Sequence, residues 1–225
     1  MDLKHVFQLF LLTITIRFAI CFIVEPVVLR KNELLCKKLT KTRSFQDHFI
    51  TGPPWRTYYT WVVRLDNTCL DLLFRTPSNY TIKYFEKTYG DLVPNILPWK
   101  EATLLAYDEE FKLMSQMLMI PKKGSPGRFN GIFDVLQGDP NSTEREQTLK
   151  EGIAIFKFAF KLFRKGLFLL RWDCIGGIGH LMARPDTVTK VDVLSMVKAL
   201  NFTRGHLACA NGKTKKKTEK PKPLT

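Results

Sequence analysis

Along most of the chain, apolar positions come in short runs divided by turn-forming residues. Residues 55–64 (WRTYYTWVVR) are dense in aromatic and β-branched side chains, which suit a pleated, half-buried strand. Runs of similar character occupy 69–75, 80–85, 102–107, 112–120, 132–136, 153–163, 167–172 and 178–183. Turn-rich pieces such as Thr76-Pro77-Ser78-Asn79 separate them, and Arg164-Lys165-Gly166 reads as a hairpin turn between 153–163 and 167–172. Residues 122–130 and 137–150 read as exposed loops. Eight or nine short strands at hairpin spacing predict an all-β domain, an up-and-down barrel or a sandwich.

Residues 153–163 could pass for a helix, and their period decides otherwise. Phe156, Phe158, Phe160 and Leu162 share one side, while Lys157, Ala159 and Lys161 share the other. That period of two is a half-buried strand. Its phenylalanine face either lines a cavity or fills a core. One helix is predicted, near the C-terminus: Thr187 or Thr189 can cap it, and Val191, Leu194, Val197 and Leu200 recur at three-residue steps. Residues 25–44 are a basic lead-in without period. The domain is expected over 45–210, and the Lys/Pro-rich tail 211–225 holds too few core-forming residues to fold.

Composition narrows the class. With 225 residues, 45% hydrophobic and 25% charged, the chain is neither disordered nor collagen-like. Its net charge is +14, of which residues 1–24 carry +1 and the tail from Lys213 carries +5, leaving +8 for the body. Residues 1–24 have a weakly basic start and an apolar run, the pattern of a secretory signal peptide. The competing reading is a retained anchor. Arg17 in the middle of the run disfavours it, because a charge at the bilayer centre costs roughly 2.5–3.5 kcal/mol. The expectation is a secreted, extracellular protein without stable membrane insertion after signal removal.

Cys21 lies in that leader, leaving Cys36, Cys69, Cys174 and Cys209. Four spaced cysteines in a secreted chain predict two disulfides, with three possible pairings. There is no Cys-x-x-Cys, and His5, His48, His180 and His206 are scattered, so no metal site is expected. Asn79, Asn141 and Asn201 each open a glycosylation triplet. Signatures of acyl transfer, phosphate binding or metalloproteolysis do not occur. Asp108-Glu109-Glu110 reads as a solvated loop and Gly176-Gly177-Ile178-Gly179 as a hairpin turn. No enzyme activity, cofactor or nucleic-acid partner is therefore expected.

Three segments resemble the lipocalin family. Phe45 to Trp55 is similar to its opening block, an aromatic lead-in before Gly-x-Trp, although Pro53 and Pro54 separate Gly52 from Trp55. Leu181-Met182-Ala183-Arg184-Pro185 resembles the last strand and its arginine. Leu200 to Cys209 (LNFTRGHLAC) resembles the segment after the helix. Cys36 and Cys69 sit as in insect bilin-binding proteins and apolipoprotein D. The resemblance implies an eight-stranded up-and-down antiparallel β-barrel with one C-terminal α-helix packed on it. It implies a structural Gly52, Trp55 at the closed end beneath Arg184, and bridges Cys36–Cys174 and Cys69–Cys209.

An eight-stranded barrel has room for one small ligand. If Trp55 points inward, alternation puts Thr57, Tyr59 and Trp61 inward as well. Ile82 and Tyr84 would follow on a later strand, with Phe156, Phe158 and Phe160 opposite. Such a lining suits a small hydrophobic ligand: a pigment, retinoid, sterol or fatty acid. The expected function is a secreted carrier or scavenger. The alternative is a cationic protein whose basic surface meets an acidic polysaccharide, protein or membrane.

Overall fold

The structure, a computed structural model, describes residues 26–41, 45–65, 69–94, 96–108, 116–136, 150, 152–202 and 205–209. Residues 1–24, expected to be a signal peptide, residues 211–225 and Asn141 lie outside the described residues. Eight strands form the wall: β1 (Trp55–Trp61), β2 (Asp71–Arg75), β3 (Leu104–Asp108), β4 (Met117–Pro121), β5 (Arg128–Phe133), β6 (Phe156–Phe163), β7 (Phe168–Asp173) and β8 (Gly179–Ala183). Each pairs antiparallel with the next, and β1 pairs with both β8 and β2, which closes the barrel. A short β9 (Gly205–Leu207) adds to the far end of β1.

Three α-helices dress the wall among the described residues: α1 (Pro26–Thr40), α2 (Asn79–Tyr89) and α3 (Lys190–Leu200). The predicted C-terminal helix is α3. Thr189 caps it in a reciprocal box: its hydroxyl accepts from the Asp192 N–H, and the Asp192 carboxylate accepts from the Thr189 N–H. The other two helices correct the sequence reading. Residues 80–85 are helical, not extended, because Ser78 Oγ accepts the Thr81 N–H at 3.0 Å and starts a helix. The residues of α2 that are buried, Phe85 and Tyr89, lie four apart, on one helical face. The lead-in holds α1, which buries only Cys36 and Leu39. It is fastened by partners far along the chain: the Cys36–Cys174 bridge, a 2.8 Å Glu33–Arg128 ion pair, and Asn32 donating to the Ile175 carbonyl at 3.0 Å. Strand β5 begins inside the stretch expected to be a loop, so the count of eight strands survives the loss of 80–85.

Among the described residues, apolar surface is buried in three layers. One fills the barrel. A second lies outside it beneath α1 and α3. A third lies outside beneath α2, against Leu105, Leu118, Ile120 and Ile132. The middle of β3, β4 and β7 is therefore covered on both faces, which makes those strands read as unbroken apolar runs.

At the sealed end, Gly52 takes a left-handed backbone (φ +99°) that turns the chain into β1. Trp55 is 1% exposed, and its indole N–H donates to the Ile50 carbonyl at 2.8 Å. The Arg184 guanidinium stands 4.0 Å over the indole and donates to the Thr51 carbonyl at 3.1 Å. Arg184 thus ties the strand that closes the barrel to the segment that floors it. Replacing Arg184 by alanine should lower stability by about 1–3 kcal/mol, from the lost cation–π contact and the stranded carbonyls. Chemical denaturation would read this. A loss below about 0.5 kcal/mol, the size of an ordinary surface change, would make the contact incidental.

Candidate functional site

Which side chains face the lumen depends on one irregularity in β1. Thr57 pairs with Met182, but Tyr59 pairs with Leu181, so Tyr58 is an extra residue in the ladder. A bulge of this kind shifts the alternation by one. Trp55 and Thr57 point inward. Beyond the bulge Thr60, opposite His180, points inward, while Tyr59 and Trp61 point out. Tyr59 and Trp61 therefore leave the predicted lining and join the layer beneath α3. Trp61 packs there on Tyr59, Trp172 and Phe202, with ring centres 4.9, 5.8 and 5.4 Å away. A Cβ on Gly179 would come within 2.3 Å of the Trp172 ring, so this glycine makes room for the indoles. The Tyr59 hydroxyl accepts the Gly205 N–H at 3.1 Å and pins β9.

Ile82 and Tyr84 are also displaced from the predicted lining, because their segment is the helix α2 outside the barrel. Tyr84 donates its hydroxyl to Asp134 at 3.1 Å, and Tyr89 donates to the same carboxylate. Burial, with Asp134 beside them, pushes both phenols above their ordinary range. Tyr84 thus works as a structural clamp on the end of β5.

Phe156, Phe158 and Phe160 do face inward, and they divide the lumen into two zones. In the sealed half, Phe158 and Phe160 pack with Trp55, Phe74, Phe129 and Leu169, all at most 2% exposed. Phe160 meets Phe74 and Phe129 edge to face, with centres 5.7 and 5.5 Å apart. This half is a solid aromatic plug.

The other half has a different character. Phe133 and Phe156 pack edge to face at 4.9 Å and keep partial exposure. Beside them the inward positions of β1, β7 and β8 are polar: Thr57, Thr60, Arg171, Asp173 and His180. Arg171 pairs with Phe160 on one side and His180 on the other, and its guanidinium stands 4.6 Å over the Phe158 ring. Arg171 and His180 keep partial exposure, whereas the outward residues of the same strands do not. Leu170 and Leu181 are fully buried, and Trp172 is 5% exposed. This stretch of wall is better covered on its outside than on its inside.

Within this ring, Thr57 Oγ1 and His180 Nδ1 are enclosed without a hydrogen-bond partner. Burial first, then the positive charge of Arg171, pushes the His180 pKa down to about 3, so the imidazole is neutral near pH 7. Asp173 is turned to the β7–β8 loop, where its carboxylate accepts the Ile175 N–H at 2.8 Å. Sequence reading passed over this ring although a signal was there. Arg171 shares the parity of Leu169 in β7, and a charge in the middle of an apolar strand needs a reason.

A hollow of about 440 Å³ lies outside the plug at the sealed end, between α1 and the β6–β7 hairpin. Leu39, Phe45, Phe49 and Leu162 line it, and Lys161 and Lys165 edge it. It adjoins a basic cleft of Lys37, Lys38, Lys41 and Arg128.

The bridges Cys36–Cys174 and Cys69–Cys209 are both closed. Asn79 and Asn201 are exposed, at the start of α2 and the end of α3. Among the described residues no group of three or more His, Cys, Asp or Glu side chains could hold a metal ion, and no helix is long and apolar enough to cross a membrane. Comparison with protein-family models, with curated proteins and with solved structures finds no match to this chain.

Proposed function

We propose that the chain is a lipocalin-like carrier or scavenger, secreted and not an enzyme, that takes one small hydrophobic molecule into the mouth of its barrel. The observation that carries this reading is the contrast between the two halves of the lumen. A barrel filled only for stability needs apolar side chains throughout, as in the plug. Its mouth instead combines aromatic faces with enclosed polar atoms that lack partners. An unmet buried hydrogen-bonding group costs about 1–3 kcal/mol, and a bound molecule with a polar end supplies the missing partner. Apolar walls with a few fixed polar groups are the usual make-up of a small-molecule site. Two disulfides suit an oxidising, extracellular setting.

Calorimetric titration of the full, disulfide-bonded protein with retinol, biliverdin, cholesterol and dodecanoate tests the proposal. Saturable binding of one molecule per chain is expected for at least one of these. Phe156→Trp, which fills the mouth from a partly exposed position, should weaken it by about tenfold or more with little change in stability. Absence of saturable binding across the panel contradicts the carrier reading.

The cleft of Lys37, Lys38, Lys41 and Arg128 favours a second reading, in which the basic surface meets an acidic polysaccharide. Arg128 is already committed to Glu33 at 2.8 Å, which leaves the lysines to supply the attraction. Salt-sensitive retention on heparin, lost when the three lysines are replaced by glutamine, would support it.

A further inference from the structure

We infer that the hollow at the sealed end is a binding site of its own, separate from the barrel mouth, for a single-chain anionic lipid: the hydrocarbon chain lies in the hollow and the acidic head meets the lysines of the adjoining cleft. The inference goes beyond the carrier reading and does not depend on it. The hollow holds about 440 Å³, and small-molecule sites span about 300–1,000 Å³. Leu39, Phe45, Phe160 and Leu162 make its apolar wall, and Phe49, 56% exposed, stands at its lip. That wall is fixed. The Phe45 ring centre lies 6.0 Å from those of Phe129 and Phe160. Gly127 permits this approach, since a Cβ there would come within 2.7 Å of the Phe160 carbonyl and 3.2 Å of the Phe45 Cβ. On the other side, α1 is fastened by the Cys36–Cys174 bridge. The hollow is therefore formed before a ligand arrives, which spares the cost of ordering it on binding.

Charge selects the head group. Thr40 and Pro126 line both the hollow and the basic cleft, so the two are continuous. Lys37, Lys38 and Lys41 stand on the cleft and Lys165 on the hairpin lip of the hollow, all four exposed. No acid is among the residues that line either space. Glu33, one turn earlier on α1, is held by Arg128 at 2.8 Å, and Asp47 lines a different cleft. Lys37 and Lys38 also suit the end of a helix, whose carbonyls favour cations. Lys41 lies past that end and Lys165 in the β6–β7 turn, so the helix does not account for them. A polyanion uses the lysines and leaves the apolar wall bare. A neutral hydrocarbon uses the wall and ignores the lysines. An anion with one hydrocarbon chain uses both, the chain for apolar burial and the head for Coulomb attraction.

Dodecyl phosphate, dodecylphosphocholine and inorganic phosphate separate the two parts. Each would be titrated, below any micelle concentration, into the intact protein while amide NMR shifts are followed at residues 37–41 and 164–166, which keeps this site apart from the mouth. Dodecyl phosphate is expected to saturate there at least about tenfold more tightly than dodecylphosphocholine, the size of a charge-assisted hydrogen bond. Inorganic phosphate should not saturate over the same range. Replacing Lys37, Lys38, Lys41 and Lys165 by glutamine should abolish the preference while dodecylphosphocholine binds as before. Leu162→Trp, which fills the hollow, should weaken both lipids by about tenfold or more. Should that variant not fold, Phe49→Ser at the exposed lip decides, with a several-fold weakening of both expected. Inorganic phosphate binding as tightly as dodecyl phosphate would make the cleft a site for polyanions only and overturn the inference. Equal affinity for the two lipids overturns it, and so do shifts confined to the mouth. Binding to phosphatidylglycerol vesicles without binding of monomeric dodecyl phosphate would make this face a membrane contact and also overturns it. Each of these results leaves the carrier reading standing, because that reading is decided by saturable binding at the mouth.

Discussion

Phe160→Ala is expected to lower the unfolding free energy by about 3–5 kcal/mol, the range for deleting a buried phenylalanine that its surroundings cannot refill. Phe160 is 1% exposed and stands at the centre of the plug. It touches Phe74, Phe129 and Phe45 with ring centres 5.5–6.0 Å away. Those neighbours are held by two different strands and by the lead into β1, so they cannot all close on the gap. Urea denaturation of the variant would show a lower midpoint with an unchanged slope. Lys157, on the outward face of the same strand, is exposed, and its alanine variant should stay within about 0.5 kcal/mol of the native protein. A loss below about 1 kcal/mol for Phe160→Ala would mean that the sealed half is loosely packed and that the division of the lumen is misplaced.

The second large effect is expected at the Cys36–Cys174 bridge, which spans 138 positions in sequence. Restricting so long a loop in the unfolded chain gives about 5 kcal/mol in the chain-entropy account, and removal of a native bridge costs 2–5 kcal/mol in practice. The paired variant Cys36→Ala/Cys174→Ala should therefore lose about 2–5 kcal/mol. Its effect should be uneven. An isolated helix of 15 residues is marginal in water, and α1 buries little besides Cys36 and Leu39. Amide exchange in α1 should rise far more than in β7, which is held on both sides by β6 and β8. Unchanged protection of α1 would show that its ion pair and amide contact suffice without the bridge.

The fold was legible wherever short-range pattern and tertiary role agree. Strand β6 alternates phenylalanine and lysine with period two, and its inward face in the barrel is the one that alternation predicts. The Trp55 and Arg184 contact and both bridges followed from a resemblance in segment order, and each is present. Legibility failed where a single residue outweighed a pattern. Ser78 turned an apparent strand at 80–85 into α2, because a run of six apolar and polar positions fits either period. Helix α1 was invisible because its stability comes from Glu33, Asn32 and Cys36 reaching residues more than ninety positions away. The predicted lining lost Tyr59 and Trp61 to one bulged residue, which no sequence rule places. The same bulge brings Thr60 into line with His180, so one irregularity both hid the polar ring and completes it.

The most direct test of the two-zone barrel is a crystal structure of the intact protein grown with dodecanoate. The account predicts the fatty acid in the mouth, its chain against Phe133 and Phe156, and the rings of Phe74, Phe129 and Phe160 unmoved beneath it. A mouth closed by its own side chains, with the fatty acid absent or lodged only in the outer hollow beside Lys165, would contradict it.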